Sequence, residues 1–268
     1  MPKTLDAATQ SLAARYAQDG FVVAPPVIPA DLVRRASEHM DAVMRCEYET
    51  KVPPHSRCWN PGDDPKKICK IDNAQLSDRT ILELVSHPEI GRFAAEVTGA
   101  KMVQVWSTQL LFKPPGGDVA GFGGNVGWHQ DYQYWPYWEG EVFTAWVALC
   151  DVAAELGPVK FVRGSQNWGA LKGGDFFGGD LEGVRKKISL PADAKWEEVE
   201  AVMPAGACSF HHKYTIHGSG PNLSDRPRRS FALHMRTEKS KRVPGAEDHG
   251  YTSHLDDPAR CPVIFGKL

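Results

Sequence analysis

Gly127-Trp128-His129-Gln130-Asp131-Tyr132-Gln133-Tyr134-Trp135 decides how the rest of the chain is read. It sets an imidazole and a carboxylate two residues apart in a run dense in aromatic residues. On a β-strand, residues two apart point to one face. If this stretch is strand, His129 and Asp131 therefore reach one metal ion together. Two such ligands need a third from elsewhere, and two histidines plus one carboxylate with open positions is the donor set of non-haem Fe(II) oxygenases. The chain holds two other His-x-Asp pairs. His39-Met40-Asp41 lies in a segment whose apolar residues recur at helical spacing, and in a helix residues i and i+2 diverge by about 200°. His254-Leu255-Asp256 sits among polar loop residues with no histidine after it. The middle pair alone has strand-like flanks and a suitable downstream partner.

That partner stands in Ile216-His217-Gly218-Ser219-Gly220-Pro221-Asn222. His217 ends a strand-like segment before a Gly/Pro/Asn turn, where a side chain can reach the mouth of a barrel and complete a metal site begun on a distant strand. Arg228 opens the returning strand, so the turn brings a guanidinium close to the metal. A fixed cation there can anchor, bidentately, the far carboxylate of a dicarboxylic cosubstrate whose other end chelates the metal. Alternation puts Arg228, Ser230 and Ala232 on one face, small after the arginine, which leaves cavity space. Arg229, Phe231, Leu233 and Met235 share the other face, suited to packing on helices.

Outward from these motifs, the N-terminal part reads as helical. Helices are expected over 5–19, about 30–49, and 79–98 with an interruption near His87-Pro88, with a short strand at Phe21-Val22-Val23-Ala24 between the first two. Residues 50–70, rich in Pro, Gly, Asp and Lys, read as a long surface loop, and Arg57, Lys66 and Lys67 as its solvated charges. From Lys101 the period changes. Strands are expected at 103–112, 143–149, 159–162, 207–211 and 229–235, with a Gly-rich mobile loop at 118–127 and an insertion at 164–200. Helices first and many short strands after predict a mainly β jelly roll (a double-stranded β-helix, cupin-like) backed by N-terminal helices. It is expected as a single domain over 1–268, helical to about 100, jelly roll over 101–236 and a C-terminal tail over 237–268.

Composition narrows the partners. The 268 residues are 42% hydrophobic with a formal net charge of −2, which argues against a nucleic-acid or membrane-surface footprint. No apolar run of 18 residues exists, so no transmembrane span is expected. Cys46, Cys58, Cys69, Cys150, Cys208 and Cys261 form no CxxC pair, and free thiols in a reducing compartment are the default. Met1-Pro2-Lys3-Thr4-Leu5-Asp6 lacks a signal peptide's apolar core, and Gly266-Lys267-Leu268 is a poor peroxisomal tripeptide. A cytoplasmic location and a small-molecule substrate are the expectations.

His129-Gln130-Asp131, Lys113-Pro114-Pro115, Thr144-Ala145-Trp146 and His217-Gly218-Ser219-Gly220-Pro221-Asn222 followed by Arg228 resemble the phytanoyl-CoA dioxygenase family. So does Asp19-Gly20-Phe21-Val22-Val23, and the resemblance spans about residues 12–235. It implies a jelly roll, Fe(II) held by His129, Asp131 and His217, and 2-oxoglutarate and O2 as cosubstrates. It further implies that Arg228 and Ser219 hold the distal 2-oxoglutarate carboxylate, with Trp146 and Gln109 lining that pocket. Related halogenases lack the carboxylate ligand, so Asp131 favours hydroxylation, or a desaturating or ring-forming variant. Arg163-Gly164-Ser165-Gln166 departs from the family's more frequent Pro-Gly-Ser-His and is expected to border the substrate side.

Plainer readings stand beside these. His211 and His212 point to opposite faces of one strand and read as core or rim residues. Tyr132, Tyr134, Trp135, Tyr137 and Trp138 read as a mixture of barrel packing and substrate wall, and Tyr132 and Tyr134 cannot both face the site on a regular strand. Asn125 and Phe122 are candidates to close over substrate, and Arg163 reads as a surface charge. A non-catalytic metal-binding barrel has no use for Arg228. A zinc hydrolase needs a general base, and no HExxH-type motif supplies one.

Overall fold

The computed structural model describes residues 10–117 and 124–268. Its first third is helical. α1 (Leu12–Asp19) starts where the Ser11 hydroxyl accepts from the Ala14 backbone, and it stops at Gly20. α2 (Ala30–Met44), α3 (Arg79–Val85) and α4 (Pro88–Thr98) follow. The expected break falls at Pro88, because proline opens a helix without losing a needed N–H but cannot sit inside one. α2 ends five residues short of the expected 49, and residues 5–9 of the first expected helix lie outside the described residues, as does Phe122. α5 (Leu181–Lys187) lies in the 164–200 insertion. Among the described residues no helix is long and apolar enough to cross a membrane.

The strands are β1 (Phe21–Ala24), β2 (Ser56–Arg57), β3 (Cys69–Asp72), β4 (Val103–Lys113), β5 (Val126–His129), β6 (Trp138–Glu139) and β7 (Val142–Ala148). They continue with β8 (Lys160–Val162), β9 (Glu198–Glu200), β10 (Cys208–His212), β11 (His217–Ser219), β12 (Arg228–Thr237), β13 (Lys241–Arg242) and β14 (Val263–Phe265). The larger antiparallel sheet runs β1-β10-β7-β12-β4-β3-β2, with β14 also on β4; the smaller runs β5-β11-β8-β9. Phe161 of the smaller sheet packs with Trp146, Ala148, Ala232 and Leu111 of the larger. Two antiparallel sheets closed on each other in this way form the expected double-stranded β-helix.

Strand alternation sorts the larger sheet's faces. Phe143, Ala145 and Val147 of β7 and Phe231, Leu233 and Met235 of β12 share one core with Met40, Ile81, Leu84 and Ile90 of the helices. The opposite face of the same strands carries Thr144, Trp146, Arg228, Ser230 and Ala232 inward, as the spacing predicts for Arg228, Ser230 and Ala232. Arg229, at the edge of the helix-facing side, binds Asp41 of α2 at 2.8 and 3.0 Å and ties sheet to helix.

Several expectations need correction. β5 stops at His129, and Asp131–Tyr134 is a turn of 3-10 helix. The buried Gln130 side chain causes the change of path: its amide donates to Gly169 O and Tyr214 O and accepts from Leu171 N. The 50–70 loop contains β2, and at its end the chain enters β3, which joins the larger sheet beside β4. Arg57 is not a free surface charge, since its guanidinium donates to Val43 O, Met44 O and the Tyr48 hydroxyl at the end of α2. The 237–268 segment adds β14 to β4 and pairs β13 with β6. Arg163 pairs with Asp19 and Glu197, and Gln166 donates to Ala17 O and Gln18 O. That segment therefore braces α1 rather than the substrate side.

Candidate metal centre

β5 and β11 are neighbours in the smaller sheet, with His129 directly opposite His217. Each histidine donates from Nδ1 to the carbonyl two residues before it, His129 to Gly127 O at 2.8 Å and His217 to Thr215 O at 3.0 Å. A ring with its Nδ1–H committed to a carbonyl presents the Nε2 lone pair, the form in which histidine binds metals. Both Nε2 atoms face Asp131 Oδ1, at 3.8 and 3.7 Å. One ligand atom from each of the three buried residues lies within 4.8 Å of the others. Asp131 reaches this point from the first residue of a 3-10 turn, not from a shared strand face.

The other carboxylate oxygen is already engaged. Asp131 Oδ2 accepts from Thr144 Oγ1 at 2.7 Å and from His211 Nε2 at 3.1 Å, and Thr144 accepts from His234 Nδ1 at 3.0 Å. Burial pushes both His129 and His217 below the ordinary histidine range, which keeps the imidazoles neutral. Burial alone would raise Asp131, but the facing rings of His217 and His211 outweigh it and hold the carboxyl below its usual range. Neutral imidazoles beside an ionised carboxylate are what a divalent metal requires, so the donor set fits Fe(II).

A second feature sits at the Arg228 end of β12. Arg228 is 1% exposed; its guanidinium lies over the Trp146 ring at 5.2 Å and donates to Gly157 O, while its Nε has no partner among the described residues. Gly157 sits at φ 62°, and a Cβ there would press on the carbonyls of Gly220 and Pro221, so the glycine lets this carbonyl approach. Opposite Arg228 on β4 is Lys113, fully buried, donating to Ser219 Oγ at 2.7 Å and to Gly220 O. Burial pushes Lys113 well below the ordinary lysine range and Arg228 to about 10. No carboxylate among the described residues pairs with either. Two buried cations without a counter-ion are costly unless an anion joins them.

One cavity of about 220 Å³ is lined by His129, Asp131, His217, Arg228, Ser219, Trp146 and Gln109, every site residue expected from the sequence. Of the aromatic run, Tyr134, Trp135 and Tyr137 line it; Tyr132 instead packs on Tyr214 at 4.8 Å. Tyr132 and Tyr134 thus part ways on a 3-10 turn rather than by strand alternation. Asn125 does not close over the cavity but donates to Gly179 O.

Sequence reasoning missed several wall residues. Phe176 and Phe177 come from the 164–200 insertion, whose chain crosses so close to Gly127 that a Cβ there would overlap Asp175 O. Lys70 and Asp72 come from β3 and bind each other at 2.6 Å; Asp72 also accepts from Ser56 and from Tyr251 of the C-terminal segment. The alternation Cys69-Lys70-Ile71-Asp72 was the available signal. A second cluster, His39, Glu49 and Asp78, is committed elsewhere: Asp78 caps α3, and Glu49 binds Arg79.

Fold and site together define the class of 2-oxoglutarate-dependent non-haem iron dioxygenases, whose chemistry uses Fe(II), 2-oxoglutarate and O2. The sequence model of the phytanoyl-CoA dioxygenase family matches residues 16–230, and the chain belongs to that family. It is similar to phytanoyl-CoA dioxygenase domain-containing protein 1 of Bos taurus, 31% identical over 82% of this chain and 87% of that protein. Among solved structures it is similar to the α-ketoglutarate-dependent carbocyclase SnoK of nogalamycin biosynthesis, with 25% identity, 94% of this chain and 91% of that one covered, and a TM-score of 0.69. It is also similar to the epimerase SnoN, solved with Fe3+, α-ketoglutarate and nogalamycin RO, with 25% identity, 88% and 90% covered, and a TM-score of 0.65.

Proposed function

We propose that His129 Nε2, Asp131 Oδ1 and His217 Nε2 hold Fe(II), and that Arg228 and Ser219 hold the distal carboxylate of 2-oxoglutarate, with Trp146 and Gln109 lining its seat. The chain then acts as one catalytic domain that hydroxylates an unactivated C–H of a small organic metabolite. The observation that carries this reading is the presence, in one cavity, of three metal donors and the buried Arg228 guanidinium, with buried Lys113 opposite it on β4 and no carboxylate beside either among the described residues. A metal store needs the donors but has no use for the cations.

When bound, Fe(II) and 2-oxoglutarate supply the oxidative chemistry: O2 is consumed, the keto acid loses CO2 to become succinate, and an oxygen atom passes to the substrate. The chain's own residues position and shield. The Nδ1 bonds to Gly127 O and Thr215 O aim the two imidazoles before any metal arrives. The Trp146 face and Gly157 O hold the Arg228 fork. Trp106, Trp135, Tyr137 and Phe176 give the cavity an aromatic wall, and water excluded there by a bound substrate would strengthen each electrostatic contact inside it.

Asp131 favours hydroxylation over halogen transfer, because a carboxylate fills the position a halide would take. The likeness to a carbocyclase supports a second outcome on the same site, ring formation. The test is to add Fe(II) and then 2-oxoglutarate to the protein without oxygen and record the visible spectrum, then admit O2 and screen small metabolites for succinate release. A weak charge-transfer band and substrate-dependent succinate are expected. Metal binding without any effect of 2-oxoglutarate would overturn the reading in favour of a metal-binding module.

A further inference from the structure

We propose that His211 is a positioning residue: with Thr144 it restricts Asp131 to binding metal through one oxygen, and so keeps a coordination position free for the reaction. The proposal rests on the ligand assignment made above. An ionised carboxylate has two oxygens, each able to accept about two hydrogen bonds. Oδ2 receives two, from Thr144 and His211, while Oδ1 alone faces the Nε2 atoms of His129 and His217. With both acceptor directions of Oδ2 in use, chelation through both oxygens would break at least one of these bonds in a buried site. Such a chelate would also occupy a position that the keto acid or O2 needs.

His211 has no other evident task. It is 2% exposed on the inner face of β10, opposite Thr144 of β7, and its Nδ1 is buried without a partner among the described residues. Its ring packs between Phe161 at 5.1 Å and His217 at 4.4 Å. A phenylalanine would fill that space without leaving a polar atom unpaired, so packing does not call for a histidine. Among the described residues the bond to Asp131 is the one polar contact the ring makes, and because an ionised carboxylate only accepts, it requires Nε2 to carry the hydrogen. Next to it, His212 points away and accepts from Tyr214 N, a turn contact unrelated to the site.

The experiment compares the parent protein with His211→Phe, His211→Gln, Thr144→Val and, as a control, His217→Ala. Glutamine can place an amide N–H near the position of the imidazole Nε2. Each is titrated without oxygen with Co(II), read by its visible d–d absorption, and then with Fe(II) plus 2-oxoglutarate, read by the charge-transfer band. Orienting groups behind metal ligands contribute about 10- to 100-fold in metal affinity. His211→Phe should therefore weaken Co(II) binding about that much and alter the d–d spectrum, His211→Gln should recover most of both, and Thr144→Val should weaken binding in the same direction. His211→Phe binding Co(II) within twofold of the parent, with an unchanged spectrum, overturns the proposal while leaving the ligand assignment intact. If His211→Phe does not fold, Thr144→Val within twofold of the parent overturns it. Undiminished Co(II) binding by His217→Ala refutes the ligand assignment and this proposal with it.

Discussion

Replacing Arg228 by methionine separates a ligand-binding role from a structural one, because the two move measurable quantities in opposite directions. Methionine keeps much of the stem that packs on Trp146 and removes the charge. If Arg228 clamps the distal carboxylate of 2-oxoglutarate, the variant leaves that carboxylate buried with the Ser219 hydroxyl and without its guanidinium. Truncating one partner of a buried, hydrogen-bonded charge pair costs about 2–5 kcal/mol. At about 1.4 kcal/mol per tenfold, KM for 2-oxoglutarate should rise roughly 30- to 3,000-fold. Because the clamp lies away from the reacting carbons, kcat at saturating 2-oxoglutarate should fall far less. The apo protein should respond the other way. A guanidinium whose pKa burial pushes to about 10 carries on the order of 3 kcal/mol of uncompensated charge burial. The variant relieves that and loses one hydrogen bond to Gly157 O, about 1 kcal/mol. Apo Tm should stay level or rise by a few degrees. Succinate assays across 2-oxoglutarate concentrations and thermal melts of the apo protein read the two effects. A KM within threefold of the parent, or an apo Tm lower by more than about 5 °C, would refute the argument and make Arg228 a structural residue.

The metal donors make a similar demand on stability. Saturating the parent without oxygen with Mn(II) or Co(II) at about 100 times Kd should add about 2.7 kcal/mol, a rise of about 5–10 °C in Tm; Asp131→Ala and His217→Ala should show no rise and no succinate. Arg57→Ala removes three hydrogen bonds at the end of α2 and should cost about 1–3 kcal/mol in urea unfolding with KM for 2-oxoglutarate unchanged; a changed KM would mean that the loop reaches the cavity. Burial, with Lys213 adding to it, pushes His212 down to about 4. The unfolded chain then binds a proton that the folded one refuses, so stability is level above pH 6.5 and falls as pH drops from there toward 4, by up to about 3 kcal/mol. His212→Asn keeps an acceptor for Tyr214 N and should remove that share of the slope; an unchanged slope would assign the acid sensitivity to other groups.

The three candidate metal donors were legible as a group because their chemistry survives ignorance of local geometry. His129 and Asp131 were placed together on the premise of a strand, and they meet although Asp131 opens a 3-10 turn. Gln130 between them is still extended, at φ −110° and ψ 135°, so the two side chains converge although the premise of a strand holds only as far as His129. The Arg228 face was legible for a sounder reason. β12 is a regular strand between two neighbours, where alternation holds without interruption from Arg228 to Ala232.

What stayed hidden depends on pairing between distant segments. Lys70 and Asp72 alternate with Cys69 and Ile71, yet they lie in a stretch that composition marks as loop. It is β4, about 40 residues on, that makes a strand of them and turns both side chains into the cavity. His211 and His212 carry the same uncertainty in smaller form. Alternation shows that one of them faces inward, but the choice rests on the register His211↔Thr144, set by β7. Moved by one residue, that register would aim His212 at the carboxylate and put the His211 ring at the turn. The groups that could bind metal were therefore readable from residue type and spacing, whereas those that orient the carboxylate were not, because they belong to the sheet and not to any one segment of it.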